Sequence, residues 1–127
     1  MRQELVLEMP TLSESNQRDH WAVRARRVKA QRWQVYASLI YAYGYDRPSC
    51  PLTVTLTRIA PRALDDDNLR GALKACRDGV ADWLAPAHAF GQGTDNAPGI
   101  TWVYAQERGE PNTSSVGIAW VATEQVP

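Results

Sequence analysis

Asp65, Asp66 and Asp67 stand side by side, with Leu64 before them and Asn68 after. Three adjacent carboxylates repel one another. A folded chain keeps them together only where water, helix-end amides or a cation takes up the charge. A helix cap at Asp67 or Asp66 accounts for one acid, and the helix dipole for a second. Three call for more. A hard divalent cation meets the need, because magnesium takes oxygen ligands and is usually held by one or two carboxylates together with water and substrate phosphate oxygens.

The element that carries the acids is a helix. Leu69, Ala72, Leu73, Cys76, Val80, Trp83 and Leu84 recur at the three-and-four spacing that gathers them on one face, which places the carboxylates at the N-terminus. Before them, residues 52–59 alternate strictly and predict a strand, with Leu52, Val54, Leu56 and Arg58 on the face that packs on helices. The acids thus emerge where a strand ends and a helix starts, a common place for sites in sheet-and-helix folds.

Residues 4–9 read as a first strand stopped by Pro10, and residues 11–19 as a connecting loop near the ligand. From His20 to Tyr43 an apolar stripe of Trp21, Ala25, Val28, Val35, Leu39, Ile40 and Tyr43 predicts a helix that Gly44 ends. Residues 85–99 break all periodicity and form a long loop holding His88 and Asp95. Residues 100–107 and 115–122 predict two strands that pair as a hairpin across a turn rich in Gly, Pro and Asn. The order β-α-β-α-β-β predicts an α+β single domain spanning 1–127, a small mixed sheet with two helices packed on it.

At 127 residues and 44% hydrophobic, the chain supports one compact core. Net charge is +0 but uneven, with ten basic against five acidic residues in 1–62 and four against nine in 63–127. That division suggests a polyanion partner on one surface and a cation site on another. Cys50 and Cys76 match no metal-ligand spacing and read as buried thiols of a reducing compartment. With neither a signal-peptide form at the N-terminus nor an apolar run of membrane-spanning length, the expectation is a cytoplasmic protein with no membrane association.

The predicted first helix is basic at its start: Arg18, Arg24, Arg26, Arg27, Lys29 and Arg32 crowd one stretch with only Asp19 against them. Arg24, Arg27 and Gln31 share a face that can follow a phosphate backbone, or the stretch is a solvated basic surface. Beside an acidic metal candidate, nucleic acid is favoured. His20 and Trp21 read as an N-terminal packing pair.

The acidic run resembles the signature of the RusA family of Holliday junction resolvases, phage and prophage endodeoxyribonucleases with Asp-x-Asp-Asn at the start of a helix. It stands here as Asp65-Asp66-Asp67-Asn68, with Asp78 to Leu84 as the later half of that helix and Asp95 best matching a further family aspartate. The resemblance implies that Asp65, Asp67 and Asp95 bind Mg2+, with Mn2+ as an alternative, and that Asn68 supports the site and the DNA. Asp66 is extra. The family's essential lysine falls at Gly71, and Lys74 as a catalytic cation or Arg70 beside the DNA would serve in its place. The activity implied is magnesium-dependent nicking of four-way DNA junctions in recombination and repair, by a homodimer, since two strands must be cut. Arg24, Arg26, Arg27, Lys29 and Arg32 would bind DNA, and Tyr43, Trp102, Trp120 and Val121 are candidates for the dimer interface. Two other readings stand beside this one: a non-catalytic nucleic-acid-binding relative that lost the lysine, and a structural domain whose acidic run only caps a helix.

Overall fold

The computed structural model describes residues 3–11, 20–49, 51–85 and 99–123. Six elements follow one another: β1 (Gln3–Glu8), α1 (Trp21–Tyr43), β2 (Leu52–Ala60), α2 (Asp66–Leu84), β3 (Ile100–Arg108) and β4 (Ser115–Ala122). This is the mixed α+β order that the periodicities predict.

The strands form one sheet in the order β1-β4-β2-β3. Strand β4 is antiparallel to both of its neighbours, and β2 and β3 are parallel. Three strands therefore run in one direction with β4 inserted between the first two. The expected β3–β4 hairpin does not form. The connection passes over the end of β2, where Gly109 N donates to Ala60 O at 3.0 Å and Asn112 takes a φ of 62°, a backbone conformation that asparagine tolerates better than most residues. Burial explains the choice. Val116 through Trp120 are all buried, as a central strand requires, whereas β3 alternates exposed and half-buried residues as an edge does.

Registers place Leu5 and Leu7, Ile118 and Trp120, Val54 and Leu56, and Trp102 and Tyr104 on the same face of the sheet, where the core lies. Across the sheet Val6, Val103 and Val121 are exposed. The core joins α1 and α2 to that first face through Val35, Leu39, Leu73, Val80 and Trp83, each at most 1% exposed. Burying side chains of this size contributes about 1.5–3 kcal/mol each. Trp120 and Tyr43, expected at an interface, belong instead to this packing: Trp120 is buried and meets the Tyr43 ring edge-on at 4.9 Å.

Helix α1 ends as expected, with Gly44 at φ 64° donating its N–H to Ile40 O at 2.7 Å. The two helices touch closely at Gly79. A Cβ there would lie 2.6 Å from Arg32 O and 2.8 Å from Val35 Cβ, so only glycine lets the backbones approach this far. Next to this contact Asp82, fully buried, receives Arg32 Nε at 2.6 Å and Nη2 at 2.7 Å. That bidentate bond raises the Arg32 pKa against the opposing effect of burial. Among the described residues no helix is long and apolar enough to cross a membrane.

Candidate functional site

Helix α2 begins one residue into the acidic run. Its N-cap is Asp65, not Asp66 or Asp67, and Asp65 Oδ1 accepts from Asn68 N at 2.9 Å in an extended backbone conformation. Asp66 and Asp67 fall in the first turn. All three side chains are exposed, and among the described residues none is ion-paired. Capping therefore takes one oxygen of one acid, leaving two carboxylates with the helix dipole alone in their favour.

Two polar side chains on the core-facing side of the sheet brace the segment that delivers the acids. Gln106, on β3, pairs its amide with the backbone of Leu64: Leu64 N donates to Oε1 at 3.0 Å, and Nε2 donates to Leu64 O at 2.7 Å. Arg58, at the end of β2, donates from Nε to Thr11 Oγ1 at 3.0 Å and from Nη1 to Arg62 O. Burial lowers the Arg58 pKa. The two together tie residues 62–64 to β2, β3 and the segment after β1. Their signal in the sequence was a polar residue at the end of each alternating apolar face, Leu52-Val54-Leu56-Arg58 and Ile100-Trp102-Tyr104-Gln106.

Beyond the acids, Arg70, Lys74 and Arg77 follow along α2 at helical spacing. The Arg70 guanidinium lies 5.6 Å from the centre of the Tyr104 ring and that of Arg77 lies 5.9 Å from it, while Arg77 Nη1 donates to Tyr104 Oη. Lys74, 60% exposed, meets Asp78 at 3.2 Å. Asp66, Leu69, Arg70, Trp102, Val103 and Tyr104 surround a shallow cavity of about 240 Å³. At Gly71 an added Cβ would meet nothing within 4 Å.

The basic start of α1 is arranged differently from expectation. Gln31 is buried and donates to Pro10 O at 2.8 Å, so the row of Arg24, Arg27 and Gln31 is the face turned toward the protein, with both arginines half-buried. Arg32, expected on DNA, is committed to Asp82. Arg26 and Lys29 are exposed. His20 caps the helix, its Nδ1 accepting from Ala22 N at 3.2 Å, and its ring lies 5.5 Å from that of Trp21, which is otherwise 74% exposed rather than part of a buried stripe. Cys76 is buried and its thiol pKa is pushed up to about 12. Asp95, His88, Cys50 and Arg18 lie outside the described residues.

The donor set suits a hard cation, since it offers only carboxylate oxygens and magnesium needs no more than one or two from protein. Among the described residues no group of three His, Cys, Asp or Glu side chains converges, so a fully protein-bound ion of the zinc type has no counterpart there. No family model matches the chain, and no curated protein matches it.

Proposed function

We propose that the chain is a divalent-metal-dependent endodeoxyribonuclease acting on branched DNA, in the manner that its resemblance to RusA-type resolvases implies. The observation that supports this reading best is the first turn of α2. It exposes Asp65, Asp66 and Asp67 without ion pairs among the described residues, one helical turn from Arg70 and two from Lys74.

Asp65 and Asp67, with Asp95, would hold Mg2+ or Mn2+. The bound ion would supply Lewis-acid polarisation of a phosphodiester and a water of lowered pKa. Asp65 keeps its second oxygen for this role because only Oδ1 accepts from the backbone. Asn68 fixes that carboxylate through its own N–H, and Gln106 and Arg58 hold the segment before it still. Lys74 and Arg70 would neutralise charge developing on the phosphoryl oxygens, in place of the lysine that the family carries where this chain has Gly71. On this reading the protein works in the cytoplasm as a homodimer, nicking both strands of a four-way junction. Gly71 also favours a second reading, a non-catalytic relative that binds DNA only.

Cleavage of a labelled four-way junction, with magnesium or with chelator, separates the two. Symmetric metal-dependent nicks that Asp67→Asn abolishes support the nuclease. Tight binding without nicking under either ion supports the binder. Gly71→Lys is the informative variant in that case, because a Cβ added at Gly71 meets nothing within 4 Å. Cleavage gained on that change would show that the missing cation is what silences the site.

A further inference from the structure

We infer that the DNA backbone runs along the α2–β3 face, over Arg70, Lys74 and Arg77 with Tyr104 beneath them, and not along the basic start of α1. This rests on the nucleic-acid reading above and assigns Arg77, Tyr104 and Trp102 to the binding surface.

Three observations carry it. First, Arg70, Lys74 and Arg77 occupy one stripe of α2, and at about 1.5 Å per residue the stripe is about 10 Å long. Successive phosphates of one strand advance by about 3.4 Å along a duplex axis, so the stripe spans roughly three of them. It starts one turn beyond Asp66, so a strand lying on it leads directly to the carboxylates.

Second, the cations are held in place before any ligand arrives. Tyr104 carries a guanidinium at 5.6 Å and another at 5.9 Å, and its hydroxyl receives Arg77. Side chains already ordered lose less entropy on binding. Lys74, 60% exposed, gives up only a weak, solvent-screened pair with Asp78. Trp102 and Tyr104 border the shallow cavity beside Asp66, where an unpaired base from a branch point can stack.

Third, α1 has few cations to offer. Arg32 neutralises Asp82, Gln31 is buried, and Arg24 and Arg27 lie on the inward face. Of the five described cations there, Arg26 and Lys29 alone are exposed; on α2, Arg70 and Lys74 are exposed and Arg77 is half-buried, but these three share one stripe that leads to the acids.

The test is binding of a fluorescent four-way junction to the full chain in chelator, where no cleavage interferes, read by anisotropy across a salt series. Arg70→Gln with Arg77→Gln should weaken binding at least tenfold. The slope of log affinity against log salt should flatten by about 0.9 for each phosphate that is no longer neutralised. Arg26→Gln with Lys29→Gln should change affinity less than twofold. Lys74→Gln, at an exposed position that leaves the fold alone, should weaken binding a few-fold and so guards against a misfolded double variant. Tyr104→Phe keeps the ring and should retain most of the affinity, whereas Tyr104→Ala should not. Wild-type protein that binds no junction would defeat the nucleic-acid reading itself. Binding that is insensitive to the α2 variants but abolished in the α1 pair would overturn only this placement.

Discussion

Glycine-to-alanine substitution at two positions of one helix should move stability in opposite directions. In a helix interior the change is intrinsically favourable by about 0.5–1 kcal/mol, since alanine loses less backbone freedom on folding. At Gly71 nothing lies within 4 Å of the added Cβ, so that gain should appear undiminished. Two turns further on, at Gly79, the same methyl would sit 2.6 Å from Arg32 O, 2.8 Å from Val35 Cβ and 3.0 Å from Val35 Cγ1. Ordinary carbon contacts lie at about 3.5–4.0 Å, so the helices must part by roughly 1 Å. Val35 is fully buried and Arg32 holds Asp82 through bonds of 2.6 and 2.7 Å, so neither neighbour can rotate away. Overpacking of this kind costs about 1–3 kcal/mol, and after the intrinsic gain Gly79→Ala should be destabilising by about 1–2 kcal/mol. Urea titration followed by tryptophan fluorescence reads both variants against wild type, at equal m values. A midpoint for Gly79→Ala at or above that of Gly71→Ala would refute the close helix contact on which the core arrangement rests.

Other expectations follow from the same geometry. Arg32→Met leaves a carboxylate with no access to solvent, whereas Asp82→Asn leaves a guanidinium that is 24% exposed and can turn to water. Both should be destabilising, by about 2–4 kcal/mol, with Arg32→Met the worse and the double variant costing less than the sum, measured in a urea double-mutant cycle. The fold keeps the Cys76 thiol protonated up to about 12, while an unfolded chain releases that proton near the ordinary 9.0. The stability that burial of the neutral thiol contributes is therefore complete below pH 9 and falls as pH rises toward 12. By pH 10.5 the wild type should lose about 2 kcal/mol more than Cys76→Ala does over the same interval, as denaturant midpoints at pH 8 and 10.5 will show. Gln106→Leu keeps the side-chain volume but strands the N–H and C=O of Leu64. Amide exchange at Leu64 should accelerate and junction cleavage should fall while the thermal midpoint drops by only a few degrees. An unchanged Leu64 exchange rate would show that Gln106 does not brace the acidic run.

Elements whose periodicity is local were readable from the sequence. The alternation of Leu52 to Ile59 and the helical spacing of Leu69 to Trp83 placed β2 and α2 within three residues of their observed bounds, because each pattern reports one side against one core. What depends on distant partners was not readable in the same way. The neighbours of β4 are chosen by which strand can be buried on both faces, and a short Gly-Pro-Asn connection suggests a hairpin whether or not one forms. The inward turn of Arg32 depended on Asp82, fifty residues away, and a charge at position 82 looks from sequence like any solvated helix residue. For the candidate site, the place of the acids at the start of α2 was legible, but the identity of the cap and the bracing by Gln106 were not. Both are fixed by backbone groups, which carry no sequence signal.

The place of β4 between β1 and β2 has a consequence for how the protein is made. Strand β1 is synthesised before α1, β2, α2 and β3, and its described sheet partner after all of them, since Gln3 pairs with Trp120 and Glu8 with Ser115. Until then Leu5, Val6 and Leu7 have α1 beside them but no strand on which to close, and an unpaired apolar strand is an invitation to other chains. Glu4 and Glu8 on either side of it place like charges where two such strands would meet, so the nascent chain is shielded from its own copies while it waits for its last strand.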